Sequence, residues 1–137
     1  MIKYEEACDI KEKVHDLVST LDMKHIRMES IYCMRSRGSA SRGTVARCHG
    51  LSKAMQMALG RGGFYVLEFI SERFDRLSED EQWKTIIHEV LHIPQSFGGG
   101  FKHHDFVNNK NINRFFESYK SLKAKKRFII DDFKSSS

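Results

Sequence analysis

The sequence is poor in proline, in cysteine and in uninterrupted apolar stretches, and each shortage excludes something. A single proline beside nine glycines in 137 residues leaves little room for a long disordered linker. The three cysteines, Cys8, Cys33 and Cys48, are widely spaced and form no CxxC pair. An odd, sparse set argues against a disulfide framework and for a reducing compartment, and packing in a core is the ordinary role of such residues. No apolar run approaches the ~20 residues that a membrane-spanning helix needs, so no membrane partner is expected. The opening segment, MIKYEEACDIKEK, is charged and lacks the apolar centre of a secretory signal. The expected location is the cytoplasm.

What is present suits one compact domain over residues 1–137, long enough to bury a core without disulfide help. Hydrophobic residues make up 40% and charged residues 30%, ordinary values for a globular chain. The net charge of +5 is compatible with a nucleic-acid partner. Arg35, Arg37, Arg42 and Arg47 lie in or beside the loop RSRGSASRGT, where phosphate contacts are one role and a solvated loop the other.

Hydrophobic spacing separates the elements. Ala7, Ile10, Val14, Leu17, Val18 and Leu21 make one face of a helix over residues 3–21. Residues 25–35 and 64–70 read as strands, the latter (FYVLEFI) the richest in β-formers. Residues 45–49 suit a short strand and 51–59 a short helix. Ser78 with Glu81 three residues on is a capping box. Trp83, Ile86, Ile87, Val90 and Leu91 then form a core-facing stripe, and Pro94 ends the helix. Val107, Ile112, Phe115, Phe116, Tyr119 and Leu122 make a second amphipathic helix over 107–122. The rest, KAKKRFIIDDFKSSS at 123–137, reads as a loosely attached charged tail. The fold class expected is α+β.

The chemistry lies in His88-Glu89-Val90-Leu91-His92. Residues four apart on a helix share a side, so His88 and His92 are able to offer two imidazole nitrogens to one metal ion. Glu89 flanks the ion without ligating it. Zinc suits such a nitrogen-rich site with an open position. Zinc lowers the pKa of a water, and Glu89 is placed to take the proton as general base. The apolar neighbours Ile86, Ile87, Val90 and Leu91 would hold this helix in a dry interior. A third donor lies after a sharp turn, in Lys102-His103-His104-Asp105. Gly98, Gly99 and Gly100 permit the positive φ angles that such a return path needs.

From Arg47 to Asp105 the chain resembles a family of metallopeptidases found in archaea and phages. The resemblance rests on Gly50-Leu51, Tyr65-Val66-Leu67-Glu68 and Phe74-Asp75-Arg76-Leu77-Ser78. It continues through His88-Glu89-Val90-Leu91-His92-Ile93-Pro94, Phe97-Gly98-Gly99-Gly100 and the pair His103-His104. A looser similarity runs to SprT-like and WLM-type proteases, although no DNA-binding zinc module is recognisable here. The resemblance implies a minimal zincin-like fold, a small sheet packed against an N-terminal helix, the His-Glu-x-x-His helix and a C-terminal helix. In zincins a strand before the active helix lines the cleft and pairs with an extended substrate, here Phe64–Ile70.

Together these readings describe a zinc metallopeptidase with one Zn²⁺ per chain, acting on a protein or peptide substrate. Its ligands are expected to be His88, His92 and His104, and its general base Glu89. His104 is preferred because Asp105 follows it, as in the resembling families, and because it lies nearer the last helix. His103 and Asp105 are the alternatives for the third position, and Asp105 could instead orient a ligating histidine. Other functions that fit are a zinc hydrolase of a non-peptide amide or ester, and a basic nucleic-acid-associated module whose zinc is structural.

Overall fold

The computed structural model describes residues 1–135. Four strands form one sheet: β1 (Lys3–Glu6), β2 (Ile31–Arg37), β3 (Ala46–Gly50) and β4 (Tyr65–Ile70). Five helices accompany it: α1 (Cys8–Thr20), α2 (Lys53–Leu59), α3 (Ser71–Phe74), α4 (Glu79–Leu91) and α5 (Asn109–Ser135). The sheet order is β1-β2-β4-β3. β2 and β4 pair in parallel, while β1 and β3 run antiparallel at the two edges. The fold class is α+β. No helix among the described residues is long and apolar enough to cross a membrane.

The period of two along the strands sets the core. Ile31, Cys33, Tyr65, Leu67 and Phe69 are almost fully enclosed on one face of the sheet. Ile10, Val14 and Leu17 of α1, Ile86, Ile87 and Val90 of α4, and Ile112 and Phe116 of α5 pack in the same cluster. α5 is tied to α1 by the Tyr119 hydroxyl, which donates to Asp16, and by Lys123 Nζ, 3.1 Å from the same carboxylate.

Three stretches differ from their expected form; the strand expected over 25–35 begins only at Ile31, after a 3-10 turn at Met28–Ser30, and runs on to Arg37 because it pairs with β1 and β4. The helix expected over 3–21 starts only at Cys8, because residues 3–6 pair with β2 as β1. That pairing is a long-range contact that overrides local preference. The expected tail continues α5 as helix through Ser135, with every side chain from Ala124 to Lys134 exposed. Ser136 and Ser137 lie outside the described residues.

The opposite face of the sheet carries a buried carboxylate. Glu68 of β4 accepts from the Ser36 hydroxyl at 2.6 Å and lies 2.7 Å from His49 Nε2, with Arg47 Nη1 at 3.5 Å. Arg47 and His49 both belong to β3, so these contacts hold the edge strand to its neighbour. Burial pushes the Glu68 carboxyl up, but the hydrogen bonds from Ser36 and His49 and the charges of His49 and Arg47 bring it below its ordinary value. Such a group adds stability that is fully present above its unfolded pKa, about 4.5, and lost as pH falls through the folded value. Glu68→Gln is therefore expected to lower stability near pH 7 by about 1–3 kcal/mol. Thermal melts followed from pH 7 down to strong acid should show the gap between wild type and variant narrowing below pH 4.5.

Candidate metal centre

α4 begins where the sequence places it. The Ser78 hydroxyl accepts from the Glu81 backbone N–H at 3.2 Å, closing the N-terminus, and regular helix stops at Leu91, three residues before Pro94. Ile86, Ile87, Val90 and Leu91 hold the inner side of the helix in the core. His88 and His92 then stand half-buried on the side that faces β3 and the 101–104 segment.

After Pro94 the chain loops back across the ends of the sheet. Of the three glycines, Gly99 has a positive φ, 101°, and the other positive angle belongs to Phe97, at 51°. The returning segment meets the end of α4 at Lys102. Its N–H donates to the His92 carbonyl at 2.7 Å, and its own carbonyl lies 2.7 Å from His92 Nδ1. With the Nδ1 proton given to that carbonyl, His92 presents Nε2 to the cleft. Two residues later His104 reaches the histidine pair. Ring centroids lie 5.0 Å apart for His88–His92, 5.1 Å for His92–His104 and 5.7 Å for His88–His104.

Among the described residues, one nitrogen from each of His88, His92 and His104 lies within 4.8 Å of the others. That donor set fits a zinc ion with an open coordination position. The fit is supported by electrostatics. Burial, with His92 and His104 beside it, lowers the His88 pKa and favours the neutral ring that a metal requires. His103 and Asp105, the other candidates, are outside this group. His103 is an exposed residue at the cleft, and Asp105 Oδ1 accepts from the Phe106 N–H at 3.0 Å, capping the turn into α5.

Glu89 is buried at the floor of the cleft. Its Oε1 lies 4.0 Å from His88 Nε2, and its Oε2 has no hydrogen-bond partner. Burial alone pushes its carboxyl up to about 7. A buried acceptor left open in this way needs a polar atom brought by something else. The Cys48 thiol belongs to the same enclosure. Burial raises its pKa, as does the nearby charge of Glu89, so it stays protonated.

The cleft holds about 570 Å³ between β3, α4 and the 101–104 segment. A second chamber of about 330 Å³ adjoins it at His88 and Glu89, running between Val45, Thr85 and Ile112. The strand along this cleft is β3, not Phe64–Ile70. β4 is interior, with its backbone groups already paired to β2 and β3. At the ends of β3, Ile70 N–H donates to the Val45 carbonyl and Leu51 N–H to the Phe64 carbonyl. Antiparallel alternation between those bonds turns the N–H and C=O groups of Ala46 and Cys48 away from β4.

The arginines offered as phosphate contacts mostly have partners. Arg35 is 2.7 Å from Asp9 and 3.2 Å from Asp75, Arg37 is 3.7 Å from Glu5, and Arg47 pairs with Glu68. A different arginine, Arg73, braces the loop by donating to the carbonyls of Ser41 and Thr44.

The family described as "putative phage metallopeptidase" matches residues 2–130. No curated protein and no solved structure matches the chain.

If the one cluster of His88, His92 and His104 is a zinc site, purified protein should carry about one zinc per chain. His88→Ala and His92→Ala should each lose most of it in elemental analysis. In chelator competition, His104→Ala should weaken binding beyond the ~10–100-fold loss typical of an outer-shell change, while His103→Ala leaves it nearly unchanged. The reverse ranking would move the third ligand by one residue.

Proposed function

The chain belongs to the putative phage metallopeptidase family, and from that premise we propose that it is a zinc-dependent peptidase. In this reading His88, His92 and His104 hold the ion and Glu89 is the general base. The observation that carries it is the unpartnered Oε2 of a buried glutamate beside three converging imidazoles. A zinc ion there supplies Lewis acidity, lowering the pKa of a water and polarising the scissile carbonyl.

The chain's own residues account for the rest. Glu89, buried with one oxygen unpartnered beside the histidines, accepts a proton from the attacking water and returns it to the leaving amine. His92 is fixed in one tautomer by the Lys102 carbonyl. The substrate lies extended along β3, where the outward backbone groups of Ala46 and Cys48 add it as a further strand. Residues on either side of the scissile bond enter the two chambers that meet at Glu89.

Two measurements test this. Glu89→Gln should keep zinc and lose hydrolysis of an unfolded protein such as casein by ~10²–10⁴-fold. Full zinc in a wild type that cuts no peptide in a broad library would refute the peptidase while leaving the metal site. Ala46→Pro removes one outward N–H, a change that an edge strand tolerates. It should raise KM about 3–10-fold, the worth of one hydrogen bond, with zinc affinity unchanged. An unchanged KM would remove β3 as the docking strand.

A further inference from the structure

Between α4 and α5 the chain crosses the sheet ends as a strap, and its seat is built from residues outside the metal site. Tyr65, the first residue of β4, is fully buried. Its hydroxyl accepts from the Gly99 N–H at 2.8 Å and donates to the Gly100 carbonyl at 2.7 Å. Its ring sits edge-on to Phe97 at 4.9 Å and to Phe101 at 6.1 Å. Gln56 of α2 bridges the next contact, its Nε2 donating to the Leu51 carbonyl at 2.8 Å and to the Gly98 carbonyl at 2.9 Å.

The approach is close enough to exclude side chains. A Cβ on Gly50 would lie 2.4 Å from the Gly99 carbonyl oxygen, and one on Gly63 would lie 1.9 Å from that of Phe97. The strap is thus pinned at two places, on the sheet ends at 97–100 and on α4 at Lys102. The seat on the sheet sets the path by which the strap reaches Lys102, and His104 follows two residues beyond it.

We infer that Tyr65, assisted by Gln56, is a positioning residue for the metal centre: its hydroxyl sets where the strap delivers His104. This rests on the three-histidine site of the proposed function, though not on peptide cleavage. It acts through the third ligand, so its effect on metal affinity exists only while His104 is present.

The test is a double-mutant cycle on the full chain, with zinc affinity read by chelator competition and the melting temperature of the metal-free protein read beside it. Tyr65→Phe keeps the ring and removes both strap hydrogen bonds. It is expected to weaken zinc binding ~10–100-fold, the usual effect of losing an outer-shell partner. In a His104→Ala background the same change should add no further loss, because the two residues act through one interaction. Gln56→Met keeps the bulk, removes the donor to Gly98 and should weaken binding in the same direction. Unchanged affinity in Tyr65→Phe overturns the inference, as does an equal loss with and without His104. If Tyr65→Phe fails to fold, a folded Gln56→Met with wild-type affinity overturns it. A wild type that takes up no zinc overturns this and the metal-centre reading together, whereas zinc uptake without cleavage sinks the peptidase reading alone.

Discussion

Backbone lying directly on backbone is the constraint from which the site follows. Where the strap passes over Gly50, Leu51 and Gly63, carbonyl oxygens occupy the volume that Cβ atoms would fill. Contacts this short admit few alternative paths, because the polar groups on both sides must find partners without water. Tyr65 and Gln56 supply those partners. The histidine triad is then a consequence of a path already fixed, and its nitrogens converge within 4.8 Å.

The parts of this arrangement legible in the sequence are those that depend on near neighbours. The Ser78 cap, the apolar stripe of α4 and the spacing of His88 and His92 are all set within two or three turns of one helix, and each stands where the sequence places it. The segments Gly50-Leu51, Tyr65 and Phe97-Gly98-Gly99-Gly100 are recognisable as words, but their meeting in space is not. Gly50 and Gly99 are distant in sequence, and nothing local to either announces the other. The same holds for the edge strand along the cleft. Composition marks 64–70 as the best strand, and it is, yet its richness in apolar residues reflects an interior place in the sheet. The less distinctive Ala46–Gly50 forms the edge along the cleft. The strand β1 was hidden for a related reason, since its residues are exposed and only pairing with β2 makes them extended.

Charge is distributed to serve this geometry. The net charge of +5 suggests a polyanion partner when counted, but several of the arginines nearest the loop are held in internal ties. Arg35 joins β2 to Asp9 at the start of α1 and to Asp75 after α3. Arg47 and His49 fasten the edge strand through Glu68, while Cys48 between them points to the opposite face, beside Glu89. One short strand thus carries an ionic anchor on one side and a cleft wall on the other.

The parallel pairing of β2 with β4 has a kinetic consequence. Ile31 must find Tyr65, and the chain between them includes a flexible arginine-serine loop, β3 and α2. Closing a segment of that length costs entropy before any contact repays it, and topologies of this kind fold slowly. Tyr65 is also the residue that seats the strap. Until the central pair has formed, therefore, there is no surface on which the 97–100 turn can lie, and the three imidazoles have no reason to converge. A partly folded chain would present the His88/His92 pair without its third companion, so on the proposed reading a metal is held by all three only after β2 and β4 have paired.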